Sequence, residues 1–224
     1  MAVEVDFAYL RHAIAVGLVN GPVLEVGSRA WQGEEGNAAR ACREAGLEWE
    51  GTDIVAGEGV DFVLDMLDRQ AVADVGRQWA TVLVFNLLEH VYNPIDAMEN
   101  AMSLVAPGGS AVVIGPVVWQ LHDYPRDFWR PMPDFFLEFA DRNGFAVVPD
   151  SLMWTVAGKL VPVDRLSVSG QKKLPSISRP GVVEVWGTRQ AYWSRAIHLL
   201  LRTFGRDTPY PDCGLGVVLR KPVA

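Results

Sequence analysis

The chain has 224 residues, half of them apolar and 21% charged, with a formal net charge of -7. That length suits one domain of the larger sort with a full core, and no apolar run approaches the roughly 20 residues of a membrane span. The acidic balance disfavours a nucleic-acid backbone as the main partner, because such binding depends on clustered Lys and Arg, and it suits a cationic ligand. The N-terminus, MAVEVDFAYL, is acidic where a signal peptide would be basic, so a cytoplasmic protein with no membrane association is expected. Cys42 and Cys213 lie far apart and in no metal spacing, which predicts buried free thiols and metal independence.

Taken in order, Phe7, Leu10, Ile14 and Leu18 stand three and four apart and predict an amphipathic helix over 6–18, stopped by Asn20-Gly21-Pro22. Val23 to Val26 read as a short buried strand that ends in a glycine turn, VGSRAWQG, before a helix from Glu34 to Ala45 with Gly46 as its C-cap. Strands follow at 47–54, ending at Asp53, and at 60–64, ending at Asp65. A helix through Val72, Val75 and Trp79 leads to TVLVFNL at 81–87, an apolar run of the kind buried on both faces of a parallel sheet. Pro94 opens another helix, Ala106-Pro107-Gly108-Gly109 reads as a turn, and 110–114 make a fifth strand. Pro133 starts a helix ended by Gly144, and 145–148 form a sixth strand. Residues 156–188, rich in Gly, Pro, Ser and isolated basic residues, read as a long loop or lid, or simply as a solvated face. A helix at 190–204, through which two copies could pair, and a final strand at 215–219 close the chain.

Strands alternating with helices specify a doubly wound α/β sheet, because parallel neighbours need crossover connections of one hand. In such folds ligands sit at the carboxyl ends of the strands. Asp53 lies there, 20 residues beyond Gly33, where a carboxylate can accept hydrogen bonds from both hydroxyls of a ribose; the alternative is a turn-forming aspartate. The turn lacks G-x-G-x-x-G, since Arg29 holds the second glycine's place, so no pyrophosphate is expected against it.

LEVGSRAWQG, GTDI, GVDFVLDM and FNLLEHVYNPIDAMENAMSLVAPGG together resemble a class I S-adenosylmethionine (SAM)-dependent methyltransferase over about residues 20–150. EVGSR, GEGVD and HDYPRDFWR are similar to bacterial members that act on small molecules, saccharides and glycans. The resemblance implies a Rossmann-like seven-stranded sheet in the order 3-2-1-4-5-7-6, its last-inserted strand antiparallel. It also implies one methyltransferase domain over 1–224, with 151–210 as a lid or insertion between strands six and seven. Glu25, Gly27 and Ser28 would border the methionine half of SAM, and Asp53 would hold the ribose. Asp65 and Met66 would face the adenine, while Asn86 and Leu87 would lie beneath the sulfonium. The demethylated product would be S-adenosylhomocysteine (SAH).

The acceptor is expected at HDYPRDFWR. His122 titrates near neutral pH and can take the proton of a hydroxyl, while Tyr124, Asp127 and Arg130 can orient a small-molecule acceptor. Asp127 and Arg130 also stand at a spacing that lets them simply pair, and His122 can be an ordinary loop histidine. Glu89 and His90 are read as structural residues at the start of a helix, with catalysis as the alternative. A SAM-binding module that acts through a partner without catalysis, and a nicotinamide-dependent oxidoreductase, are the other readings open at this point.

Overall fold

The computed structural model describes residues 4–30, 38–122, 126–156, 159–163, 183–184 and 213–223. Its helices are α1 (Glu4–Ala15), α2 (Ala39–Glu44), α3 (Arg69–Asp74), α4 (Pro94–Ser103) and α5 (Pro133–Asn143). Its strands are β1 (Val23–Val26), β2 (Trp49–Asp53), β3 (Phe62–Val63), β4 (Trp79–Phe85), β5 (Val105–Val118), β6 (Ala146–Val147), β7 (Met153–Val156), β8 (Lys159–Pro162), β9 (Val183–Glu184) and β10 (Cys213–Arg220). They form one ten-stranded sheet in the order β3-β2-β1-β4-β5-β10-β7-β8-β9, with β6 also paired to β10.

The neighbours of β1 and β4 run parallel, and β10 enters antiparallel between β5 and β6, which is the seven-strand order the resemblance implies. Three further strands extend that edge. Residues 153–156 and 159–162 form an antiparallel hairpin paired to β10, so the first part of the expected lid is sheet. Met153, Val156, Leu160 and Val161 are buried, and that apolar content outweighs the scattered basic residues that marked the segment as a loop. The rest of the expected lid, apart from β9, and the helix at 190–204 lie outside the described residues.

Alternation along the strands divides the core between two faces. Leu24, Val26, Val82 and Val84 pack with Val72 of α3, Met98 and Met102 of α4, and Phe136 of α5. Val23, Leu83 and Phe85 face Tyr9 and Leu10 of α1 and Cys42 of α2. Helix ends follow their local chemistry. The Asp68 carboxylate accepts from Ala71 N at the start of α3, Asn93 caps α4 ahead of Pro94, and Gly144 ends α5 in the left-handed region. Residues 106–109 interrupt β5 as an irregularity between the Trp79–Val105 and Thr81–Ser110 pairings, where the sequence alone suggested a turn before the strand. β5 continues to Val118 because β10 pairs with it along its whole length to Cys213.

Packing is tight where α1 crosses β10. A Cβ on Gly216 would stand 2.6 Å from the Tyr9 ring, and the buried Tyr9 hydroxyl donates to Ser151 O at 2.5 Å. The glycine lets an aromatic ring lie flat on the strand. Gly216→Ala is therefore expected to cost roughly 1–3 kcal/mol by overpacking, read as a lower denaturant midpoint with an unchanged m-value; an unchanged midpoint would mean the ring has room to move.

Candidate functional site

The parallel strands deliver their carboxyl ends to one edge, and three of the turns there fold onto one another. Gly27 has a φ of 76° and its N-H donates to Thr52 O at 2.8 Å. Ser28 Oγ donates to Gly59 O at 2.6 Å, and Ala30 N to Glu58 O at 2.9 Å, so the 57–60 loop is strapped to the glycine turn. Arg29 lies against Gly57, where a Cβ would meet its Nε at 2.9 Å. The residue that replaces the expected glycine thus packs along the neighbouring loop.

Asp53 stands at the tip of β2. Its two oxygens accept from Arg29 N at 3.3 Å and Val55 N at 3.1 Å. The side chain stays partly exposed and each oxygen keeps a further lone pair, so it can still accept from a ligand. Asp65 is likewise partly exposed and accepts from Leu67 N at 2.8 Å. Met66 is 4% exposed and packs in the core, its carbonyl held by Asn100 Nδ2. Among the exposed apolar side chains at these strand ends are Ile54 (61%) and Leu67 (41%). Sequence reasoning passed over both, although each directly follows or nearly follows a strand-end aspartate.

Glu25 is 2% exposed, and its Oε2 accepts from Ala38 N at 2.8 Å and Trp49 Nε1 at 3.0 Å. It ties β1 to the start of α2 and to β2 rather than presenting a bare carboxylate to the edge. Burial outweighs those two donors and pushes its pKa up from 4.5 to about 7.

On the other side of β4, Asn86 adopts a φ of 48° and its Nδ2 donates to the buried Asp6 of α1 at 2.8 Å. Leu87 lies beneath the glycine turn, 3.5 Å from where a Gly27 Cβ would sit. A 3₁₀ turn, Leu88–His90, follows, and the 126–130 segment docks onto it. Phe128 N donates to Glu89 O at 2.7 Å, His90 Nδ1 meets Arg126 O at 2.7 Å, and Trp129 Nε1 donates to Tyr92 O at 3.2 Å. Asp127 is doubly hydrogen-bonded by Arg130, which holds its pKa down at about 2, and it also accepts from His122 N. Asp127 and Arg130 therefore pair with each other. Tyr124 lies outside the described residues.

These groups enclose a cavity of about 50 Å³ lined by Asp6, Asn86, Glu89, Trp119, His122 and Thr155, among others. That is room for one or two water-sized groups. Three of its polar atoms, both Glu89 oxygens and Thr155 Oγ1, are buried with no hydrogen-bond partner among the described residues. A wider cleft of about 870 Å³, lined by Arg77, Glu99 and Lys221 among others, sits by the amino ends of β4 and β5 and away from these turns.

A protein-family model described as a methyltransferase domain matches residues 7–138. No curated protein matches the sequence. Among solved structures, a SAM-dependent methyltransferase from Archaeoglobus fulgidus is 14% identical with a TM-score of 0.55, covering 97% of this chain and 95% of its own. A complex of the Haloferax volcanii Trm112 methyltransferase activator with a protein described as a methyltransferase is 17% identical with a TM-score of 0.51, covering 96% and 90%. A protein studied for converting a disulfide into a thioacetal in echinomycin biosynthesis is 13% identical with a TM-score of 0.52, covering 96% and 81%. At these identities the likeness is one of fold.

Glu25 has a consequence for stability. The folded state holds its proton more tightly than the unfolded chain does, so its contribution is complete below pH 4.5 and is lost as pH rises through 7. The size is on the order of 3 kcal/mol. Glu89, raised in the same way to about 7, acts in the same direction. Urea titrations from pH 4.5 to 8 should show stability falling, and Glu25→Gln should remove about half of that slope; an unaltered slope would place the titration elsewhere.

Proposed function

We propose that this chain, which belongs to the class I SAM-dependent methyltransferases, methylates a hydroxyl of a small-molecule acceptor of the saccharide or natural-product kind. SAM supplies an electrophilic methyl group, and its transfer leaves SAH. The residues at the strand ends suit that cofactor. Gly27 turns tightly above Leu87, Asp53 keeps acceptor capacity for a ribose, and Ile54 and Leu67 offer apolar surface to an adenine. Asp65 lies in reach of the same base through the turn it shares with Leu67. Ser28 fixes the loop beside the amino-acid end. The acidic balance of the chain favours a cationic sulfonium.

The observation that carries the hydroxyl reading is the cluster of Glu89, His90 and His122 beside Asn86, the residue at the tip of β4. A hydroxyl must shed a proton to become a good nucleophile, and this is where proton-accepting groups converge. Asp127, held by Arg130, turns its Oδ2 to within 3.2 Å of His122 Nδ1 and so fixes the ring. Trp119 supplies an apolar wall. Acceleration then comes chiefly from holding the acceptor oxygen in line in a dry cavity, with proton removal adding to it.

Two substitutions separate the halves of this reading. His122→Ala should lower turnover about 10²-fold or more while SAH affinity measured by calorimetry stays unchanged; full turnover would remove His122 from the chemistry. Asp53→Ala should weaken SAH binding by roughly 10- to 100-fold through the lost charged hydrogen bonds, and an unweakened SAH affinity would leave Asp53 as a turn residue only.

A further inference from the structure

The Glu89 carboxyl is 1% exposed, and among the described residues no other residue hydrogen-bonds either oxygen. A buried carboxyl so poor in donors either keeps its proton or ionises against a cation. His90 Nε2 lies 3.8 Å from Oε1, and the Arg130 guanidinium also attracts the carboxylate.

The tautomers of both histidines are fixed by what their other nitrogen meets. His90 Nδ1 faces Arg126 O at 2.7 Å, and a carbonyl can only accept, so Nδ1 carries the hydrogen and Nε2 the lone pair. His122 Nδ1 faces Asp127 Oδ2 at 3.2 Å and Gln120 O at 3.3 Å, both acceptors, which leaves its Nε2 with a lone pair as well. The two rings meet edge to face at 5.0 Å. A carbonyl on one ligating histidine and a carboxylate on the other are the outer partners that orient imidazoles for metal binding.

We propose that Glu89, His90 and His122 form a binding site for a divalent first-row transition ion of the zinc type, with its open coordination position facing the acceptor cavity. Ligand atoms of the three residues already lie within 4.8 Å of one another. Donors around a tetrahedral ion stand about 3.4 Å apart, so a closure of up to about 1.4 Å seats it. Two imidazoles and one carboxylate are a donor set for zinc and its neighbours rather than for magnesium or calcium, which prefer oxygen. His90 and Glu89 are adjacent and His122 comes 32 residues later, so no linear spacing reveals the set. Such a site runs against the metal independence expected from spacing, and metal titration decides between the two.

The site deepens the proposed methyl transfer and rests on it for its chemical role. An acceptor hydroxyl at the open position would have its pKa lowered and lose its proton to water. Its oxygen then forms the new bond to the methyl carbon while the carbon–sulfur bond breaks, its electron pair remaining on sulfur. His122 would contribute as a ligand, and His122→Ala would lose turnover by losing the ion.

The test uses the full-length chain stripped with a chelator. Titration with Co²⁺ should give visible absorption that saturates at one ion per chain, and Zn²⁺ should displace it. Glu89→Gln, nearly isosteric, and His122→Asn should each weaken Co²⁺ binding at least tenfold while calorimetric SAH affinity stays that of the parent. No stoichiometric binding, or binding indifferent to both substitutions, overturns the metal site. Intact metal binding with no affinity for SAH would leave the site standing and overturn the methyl-transfer reading instead.

Discussion

The antiparallel insertion of β10 beside β5 is the pairing on which the β4–β5 side of the strand-end edge depends. It joins the far end of the chain to the middle over eight register pairs, Cys213–Val118 to Arg220–Ser110. The same strand then carries β6 and β7 on its other edge. Its glycines matter individually. Gly216 admits Tyr9 and so seats α1, and a Cβ on Gly214 would stand 2.5 Å from Thr155 Oγ1. Gly214 and Cys213 also line the cavity that Asp6 of α1 closes from above. Without β10, β5 would be an exposed edge and neither α1 nor the cavity would have a support.

Two halves of the strand-end edge obey different physics. On the β1–β2 side the polar groups are spent on backbone: Glu25 on Ala38 N, Ser28 on Gly59 O, and Asp53 in part on Arg29 N. These bonds make a rigid, partly exposed cradle. On the β4–β5 side the polar groups are left over. Among the described residues Glu89 and Thr155 keep buried atoms without partners, and the nearby Asp127 is neutralised by Arg130. Buried polar atoms without partners raise the energy of the protein alone and lower it again when a ligand or ion supplies the missing bonds.

What the sequence disclosed follows that division. The β1–β2 side is built from short segments whose turn chemistry is local, so β1, the glycine turn, Asp53 and Asp65 could be placed from their own neighbourhoods. So could the alternation of β4 and the caps of α4 and α5. The roles of Met66 and Glu25 were harder to read, because burial depends on which face of the sheet a residue meets. The β7–β8 hairpin was hidden by isolated basic residues that its buried Met153, Val156 and Leu160 outweigh. Glu89 and His90 looked structural in the linear chain, and His122 looked like a lone base. Their convergence depends on the 126–130 segment folding back onto the 88–92 turn through Phe128 N, Arg126 O and Trp129 Nε1. No local pattern encodes that latch.

If the proposed SAM and metal sites are both filled, that latch also bears on how two positive charges, a sulfonium and a divalent ion, would share one edge. Their mutual repulsion is softened only if carboxylates stand between or beside them and do not relax away. Asp6 is buried and hydrogen-bonded to Asn86 at the tip of β4, and Glu89 is fixed in the adjoining turn by Phe128 N bonding to its carbonyl. Asp6 is therefore held in place before any ligand arrives, and the Glu89 backbone is fixed beside it, which limits the reorganisation needed when charge enters the site. Three hydrogen bonds join the 126–130 segment to the 88–92 turn, and that latch sets where the Glu89 carboxyl and the His90 imidazole stand relative to the strand ends.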